Sequence, residues 1–151
     1  MYKKILVPID GSPLSEGVLE CASILAKNED SEIVLLCVAV NVISEFIFGD
    51  PGLAKDFIDS QETSTKEYLI RVENDLKKKG IRVSSLMREG SVADTIITTA
   101  EEIKADVIAM STHARKPVAQ LFLGSVAENV LRHSKIPVML IRPAKMEQKK
   151  H

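Results

Sequence analysis

The sequence contains no tryptophan and only two tyrosines and four phenylalanines among its 151 residues. A base-stacking platform needs several such rings, so a single-stranded nucleic-acid surface is not expected. Charge of one sign is equally scarce: 20 Lys and Arg stand against 21 Asp and Glu, a formal net charge of -1. A chain so balanced has no strong field to draw in a phosphate backbone or an acidic bilayer. Cysteine is limited to Cys21 and Cys37, which fall on different elements and make neither a CxxC nor a Cys/His ligand spacing. Reduced core thiols and a cytoplasmic location are the expectation. Long apolar runs are missing as well, because the longest, residues 33–40, is too short to span a bilayer. Lys3 and Lys4 imitate the start of a secretory signal, but Pro8 and Asp10 cut the apolar region short. Neither nucleic acid nor a membrane is an expected partner.

Several chemistries are missing at motif level. The chain has no GxxxxGK[ST], no GxGxxG after its first strand and no GxSxG. The acidic turn at residues 9–12 (IDGS) lacks the second carboxylate of a metal-dependent phosphotransfer site. No Ser, His and Asp set can be assembled by spacing, so no catalytic residue and no metal ligand is assigned.

What is present is ordinary globular material, 45% hydrophobic and 27% charged, in a length suited to one domain. Residues 3–9 read as a buried strand. Asp10 and Gly11 end it, Ser12 caps a helix, and Pro13 takes its first position. The unbroken aliphatic run 33–40 reads as a strand covered on both faces, as in a parallel sheet. Residues 41–54 read as an irregular excursion, with GDPG at 49–52 as a loop signature. A long helix follows, with Phe57, Tyr68, Leu69, Val72 and Leu76 on its apolar side. The run Lys77 to Lys79 and then Gly80 suit its C-terminal end. A third strand, 81–87, carries Arg82, Ser84 and Arg88 and so reads as lying toward a sheet edge. A helix starting at Ser91, a strand at 107–110, a helix from Ser125 to about His133 and a last strand at 138–141 complete the chain. Regular alternation of strand and helix predicts an α/β fold, a doubly wound five-stranded parallel sheet, in one domain over residues 1–143. Residues 144–151 read as a polar, flexible tail.

In such sheets ligands bind beyond the carboxyl ends of the strands, where strand order reverses. Asp10 and Ser12, residues 39–41 and Ser111 form the expected rim. The loop 111–125 (STHARKPVAQLFLGS) joins the fourth strand to a helix start, with His113, Arg115 and Lys116 inside it. Ser125 and Glu128 have the spacing of a capping box, with Ser125 as N-cap. A loop ending in Gly124 and Ser125 at a helix start is an anion site of the kind that holds phosphate. Asp10 suits a ribose hydroxyl or a Mg²⁺ ion, and equally the stiffening of its own turn.

Taken together, these residues resemble the universal stress protein family over nearly the whole chain. Residues 3–12 (KKILVPIDGS) are similar to its opening strand and acidic turn, and 35–38 (LLCV) to its second strand. Residues 123–133 (LGSVAENVLRH) resemble its signature helix, and 136–142 (IPVMLIR) its closing strand. The resemblance implies a Rossmann-like, adenine nucleotide alpha hydrolase-like three-layer sandwich. It also implies a regulatory module with ATP, with Mg, between the first and fourth strands. Asp10 would meet the ribose, Pro8, Val38 and Met110 would line the base, and Gly124, Ser125 and Val126 would hold the phosphates. A homodimer through the last strand is implied too. The family's ATP-binding members carry GxxG, nine residues, then G[ST]; here Gly124 and Ser125 keep the end, while Ser111 and Ala114 replace the two glycines. The alternative is therefore a nucleotide-independent interaction protein acting as a dimer, and the most that enzymology offers is a slow ATP hydrolase using Asp10 or His113.

The two replacements set a measurable expectation. A residue forced to positive φ costs about 1 kcal/mol, and a methyl against a phosphate a comparable amount. Ser111→Gly with Ala114→Gly should therefore tighten ATP binding roughly ten- to hundredfold in calorimetry; affinity unchanged by the pair would refute the assignment of these positions.

Overall fold

Aliphatic residues on both faces force β1 (Lys4–Pro8) into the middle of the molecule, where Ile5, Leu6 and Val7 have no exposed surface. The structure, a computed structural model, describes residues 2–39, 49–112 and 124–142. Around β1 lie β2 (Glu32–Ala39), β3 (Arg82–Glu89), β4 (Val107–Ser111) and β5 (Val138–Ile141). All pairings are parallel, in the order β3-β2-β1-β4-β5. The helices are α1 (Pro13–Glu29), α2 (Pro51–Lys78), α3 (Val92–Glu102) and α4 (Ser125–His133).

The strand period of two sends alternate side chains to opposite faces, and two cores result. Ile5, Val7, Ile33, Leu35 and Ala109 meet Val18, Ala22 and Ala26 of α1 and Leu69, Val72 and Leu76 of α2. Leu6, Val34, Leu36, Ile108 and Met110 meet Ala93, Ile96 and Ala100 of α3 and Ala127 and Val130 of α4. The expected doubly wound three-layer sandwich is thus the observed fold, with β3 at one edge and β5 at the other.

The helix ends follow local chemistry. Ser12 caps α1, with Pro13 in its first turn. At the end of α2, the Gly80 N–H donates to Lys77 O at 2.9 Å and the Ile81 N–H to Leu76 O at 3.1 Å. Gly80 sits at φ 82°, and Leu76 and Ile81 are both buried, which completes a Schellman ending.

Three expectations need correction. The helix after the irregular segment begins at Pro51, ahead of Ala54, because Asp50 caps it and accepts from the Gly52 N–H at 2.9 Å. GDPG at 49–52 is therefore an N-cap followed by proline at the first helical position. Residues 40–48 of that segment lie outside the described residues. Phe57 does not share the burial of Leu69, Val72 and Leu76, being 43% exposed. A helix of 28 residues is about 42 Å long, whereas β3, with 8 residues, spans about 26 Å. The first turns of α2 thus run past the sheet. Finally, the third strand is Arg82–Glu89, shifted from 81–87, because Ile81 is consumed in the helix ending.

The start of β1 is tied to the start of β4 by one carboxylate. Asp106 Oδ2 accepts from the backbone N–H groups of Lys3 and Lys4 at 2.8 and 2.9 Å. The Lys4 ammonium meanwhile donates to Ile103 O at 3.1 Å.

Between β3 and α3, Gly90 adopts φ +139°, and a Cβ there would lie 2.9 Å from Thr95 Oγ1. Both the backbone conformation and the space require glycine. Gly90→Ala should lower the stability measured in urea by about 1–3 kcal/mol, and an unchanged midpoint would contradict the geometry.

Candidate functional site

The crevice begins where two neighbouring strands stop pairing. β1 pairs with β2 along its full length, from Lys4↔Glu32 to Pro8↔Leu36. It pairs with β4 only at Ile5↔Val107 and Leu6↔Ile108. Pro8 has no N–H to offer, and beyond Leu6 the two strands run to opposite walls of a gap. This is the point at which strand order reverses, where open α/β sheets place their ligands.

A cavity of about 380 Å³ fills the gap. Of the candidate residues, it brings together Pro8, Asp10, Val38, Met110, Ser111, Ser125 and Val126, with Ser12 from the rim. Gly124 is buried beside it without lining it. Ala114 lies outside the described residues, as do His113, Arg115 and Lys116. Residues the sequence reading missed also line it: Ile9 just past β1, Leu36 from β2, Ser15 from α1, Val92 and Ile96 from α3, and Ala127 from α4. Val92 and Ile96 belong to the apolar face of α3, and nothing in that periodicity separates a residue under a cavity from one in the core. Ser15 had a faint signal. A serine three positions after a serine N-cap sits where a capping residue reaches back.

The chemistry is divided between two ends. At one end, Asp10 follows β1 and turns back on itself. Its Oδ1 accepts from the Ser12 N–H at 2.9 Å and from the Ser15 hydroxyl at 3.2 Å. Gly11, at φ 86°, makes the bend that brings Ser12 round. At the other end stands α4, and here the expected capping box is not formed. Gly124 is the N-cap, at φ 95°, and among the described residues no side chain caps the helix. Ser125 is the first helical residue, and the first intrahelical bond runs from the Glu128 N–H to Gly124 O at 2.9 Å. The glycine reaches a conformation that serine avoids, so it takes the cap and displaces the SxxE register by one. The N–H groups of Ser125, Val126 and Ala127 are left without intrahelical acceptors at the cavity, on the positive end of the helix dipole.

Between the two ends the walls are apolar: Pro8, Leu36, Val38, Val92, Ile96 and Met110. Among the described lining residues Asp10 is the only charged one. On the other face of the sheet, burial raises the Cys37 thiol pKa, and the Asp10 carboxylate raises it further. Tyr68 on α2 donates its hydroxyl to Glu16 Oε2. Its phenol is pushed up by burial and then by the hydrogen bond and charge of Glu16, against which the Ser15 hydroxyl acts.

These residues fit an adenine nucleotide. The cavity lies within the size range of small-ligand sites, roughly 300–1,000 Å³. It offers apolar walls for a base, a carboxylate for sugar hydroxyls and bare helix N–H groups for phosphate. Among the described residues no group of three or more His, Cys, Asp or Glu could hold a metal ion. A Mg²⁺ at this site would be held chiefly by the phosphates, as is usual for that ion.

A family model described as the universal stress protein family matches residues 1–142. The universal stress protein MJ0531 of Methanocaldococcus jannaschii is 32% identical over 149 residues, covering 97% of this chain and 86% of its own. The solved structure of hypothetical protein MJ0577, from the same organism, has a TM-score of 0.83 at 26% identity, over 96% of this chain and 99% of that one. More distant structures, each 21% identical, are a universal stress protein in complex with cAMP (TM-score 0.68, over 95% and 98% of the two chains) and the Archaeoglobus fulgidus universal stress protein in complex with dAMP (TM-score 0.63, over 93% and 98%).

The two free thiols should differ in reactivity. Cys21 is exposed, whereas Cys37 is half-buried with its thiolate disfavoured by burial and by Asp10. Iodoacetamide at pH 8 should therefore label Cys21 first. Asp10→Asn should lower the Cys37 pKa and speed its labelling. Equal rates at the two thiols, or a Cys37 rate indifferent to Asp10→Asn, would contradict this.

Proposed function

The chain belongs to the universal stress protein family, and from that premise we propose that it is a regulatory module that binds an adenine nucleotide, ATP with Mg foremost, between β1 and β4. The observation that carries the reading is the cavity itself, which unites an apolar slot, one carboxylate and an uncapped helix start within a single gap in the sheet. The family structures in complex with cAMP and dAMP support it.

In this reading Pro8, Val38 and Met110 flank the base, which stacks and is desolvated between them. Asp10 accepts from the ribose hydroxyls. Ser125 and Val126 turn their N–H groups to the phosphates, where the helix dipole adds about 0.3–1 kcal/mol, more where partly buried. Gly124 keeps that helix start bare by taking the cap position without a capping side chain. Among the described lining the one charge is negative, so the Mg²⁺ that accompanies ATP would offset repulsion between Asp10 and the phosphates. The role proposed is binding that alters a partner surface.

A second reading has its own observation. Ser111, where ATP-binding members carry glycine, lines the cavity, which supports a nucleotide-independent interaction protein. Both readings include a cytoplasmic homodimer through β5. Among the described residues that strand pairs only with β4, and all four of its residues, Val138 to Ile141, are half-buried. An apolar edge of this kind invites a second strand.

Two measurements separate the readings. On the nucleotide reading, protein purified without dialysis should yield adenine nucleotide on denaturation, and Mg-ATP at millimolar concentration should give calorimetric heat. Neither signal would leave the nucleotide-independent reading standing. Sedimentation at micromolar concentration should give a dimer, and a monomer there would sink the β5 interface.

A further inference from the structure

We propose that Ser15 is a positioning residue for the sugar, its hydroxyl aiming the Asp10 carboxylate into the cavity. The inference rests on the nucleotide reading above. Ser15 is only 6% exposed, on the third position of α1, yet it lines the cavity. The same helix fills its buried face further along with Val18, Leu19 and Ala22. A hydroxyl in such company is unfavourable unless it is bonded. It donates to Asp10 Oδ1 at 3.2 Å and to Ser12 O at 2.9 Å, and its oxygen accepts from the Asp10 N–H at 3.5 Å. One hydroxyl has one proton, so it serves the two acceptors in alternation. Ser12 contributes the second donor to the same carboxylate oxygen through its N–H.

Asp10 is an exposed side chain at a glycine-containing turn. Two donors converging on Oδ1 restrict its rotamer before any ligand arrives. An ionised carboxylate accepts at about four lone-pair positions, so these bonds orient the group without saturating it. Ordering the side chain in advance spares that loss on binding, which is worth roughly three- to tenfold in affinity. The benefit exists only where a ligand hydroxyl uses the carboxylate, and this gives the inference a signature that packing alone would not produce.

Calorimetry on the full chain with Mg-ATP and with Mg-2′,3′-dideoxy-ATP reads that signature for the wild type, Ser15→Ala, Asp10→Ala and the double variant. Ser15→Ala should weaken ATP roughly three- to tenfold and leave the dideoxy nucleotide within about twofold of the wild type. In the Asp10→Ala background Ser15→Ala should add nothing. Equal weakening of both nucleotides, additive losses or no loss at all would each overturn the proposal. Wild-type protein that binds neither nucleotide would overturn the nucleotide reading and this inference with it. Wild-type binding unaffected by Ser15→Ala would overturn this inference alone. Thermal unfolding checks that each variant is folded, and Ser15→Cys, near in volume but a weak donor, is the substitute should alanine not fold and should give the same pattern.

Discussion

The structure depends on a pairing that is complete on one side of β1 and cut short on the other. With β2 the ladder runs five residue pairs, from Lys4↔Glu32 to Pro8↔Leu36; with β4 it runs two, at Ile5↔Val107 and Leu6↔Ile108. The full ladder fixes the register that sends Ile5 and Val7 to one core and Leu6 to the other. The short one leaves Pro8 and Asp10 on one bank of a gap and Met110 and Ser111 on the other. Everything the cavity contains is there because these two strands part.

Much of this was legible in the sequence, and for identifiable reasons. The aliphatic runs that become β1 and β2 have no polar residue to hydrate, so burial on both faces was the only consistent reading. Lys77 to Gly80 and Pro13 after Ser12 are local signals with local causes, and α2 ends and α1 begins accordingly. What misled was competition between two valid signals. At GDPG the turn grammar and the helix-start grammar share residues, and Asp50 with Pro51 resolved them in favour of a helix. At Ser125 and Glu128 the capping-box spacing was real, but the glycine before it could reach a cap conformation that displaced it. The site was partly hidden for another reason. Val92, Ile96 and Ala127 obey the same helical period as core residues, and only the gap in the sheet distinguishes them. Ser15 left only a faint signal because its acceptor, Asp10, comes within reach only when Gly11 bends the chain back.

The crevice is also economical in charge. On the nucleotide reading, the apolar walls and one carboxylate of the described lining give little attraction for a polyanion at a distance, so recognition would rest on backbone N–H groups and on the cation that travels with the phosphates. On that reading such a site would discriminate through the sugar and base more than through raw charge.

The bond from Asp106 to the N–H groups of Lys3 and Lys4 joins positions 103 and 102 residues apart. On the ribosome this means that β1 is made long before its second neighbour. At ordinary elongation rates of about 5–20 residues per second, the interval is roughly 5–20 s. Through that interval β1 can dock on β2 and α1, but its other edge stays open until β4 emerges. The central strand of the finished sheet is therefore, during synthesis, an edge strand, and the nascent chain must keep that edge from foreign pairing until its own C-terminal third arrives.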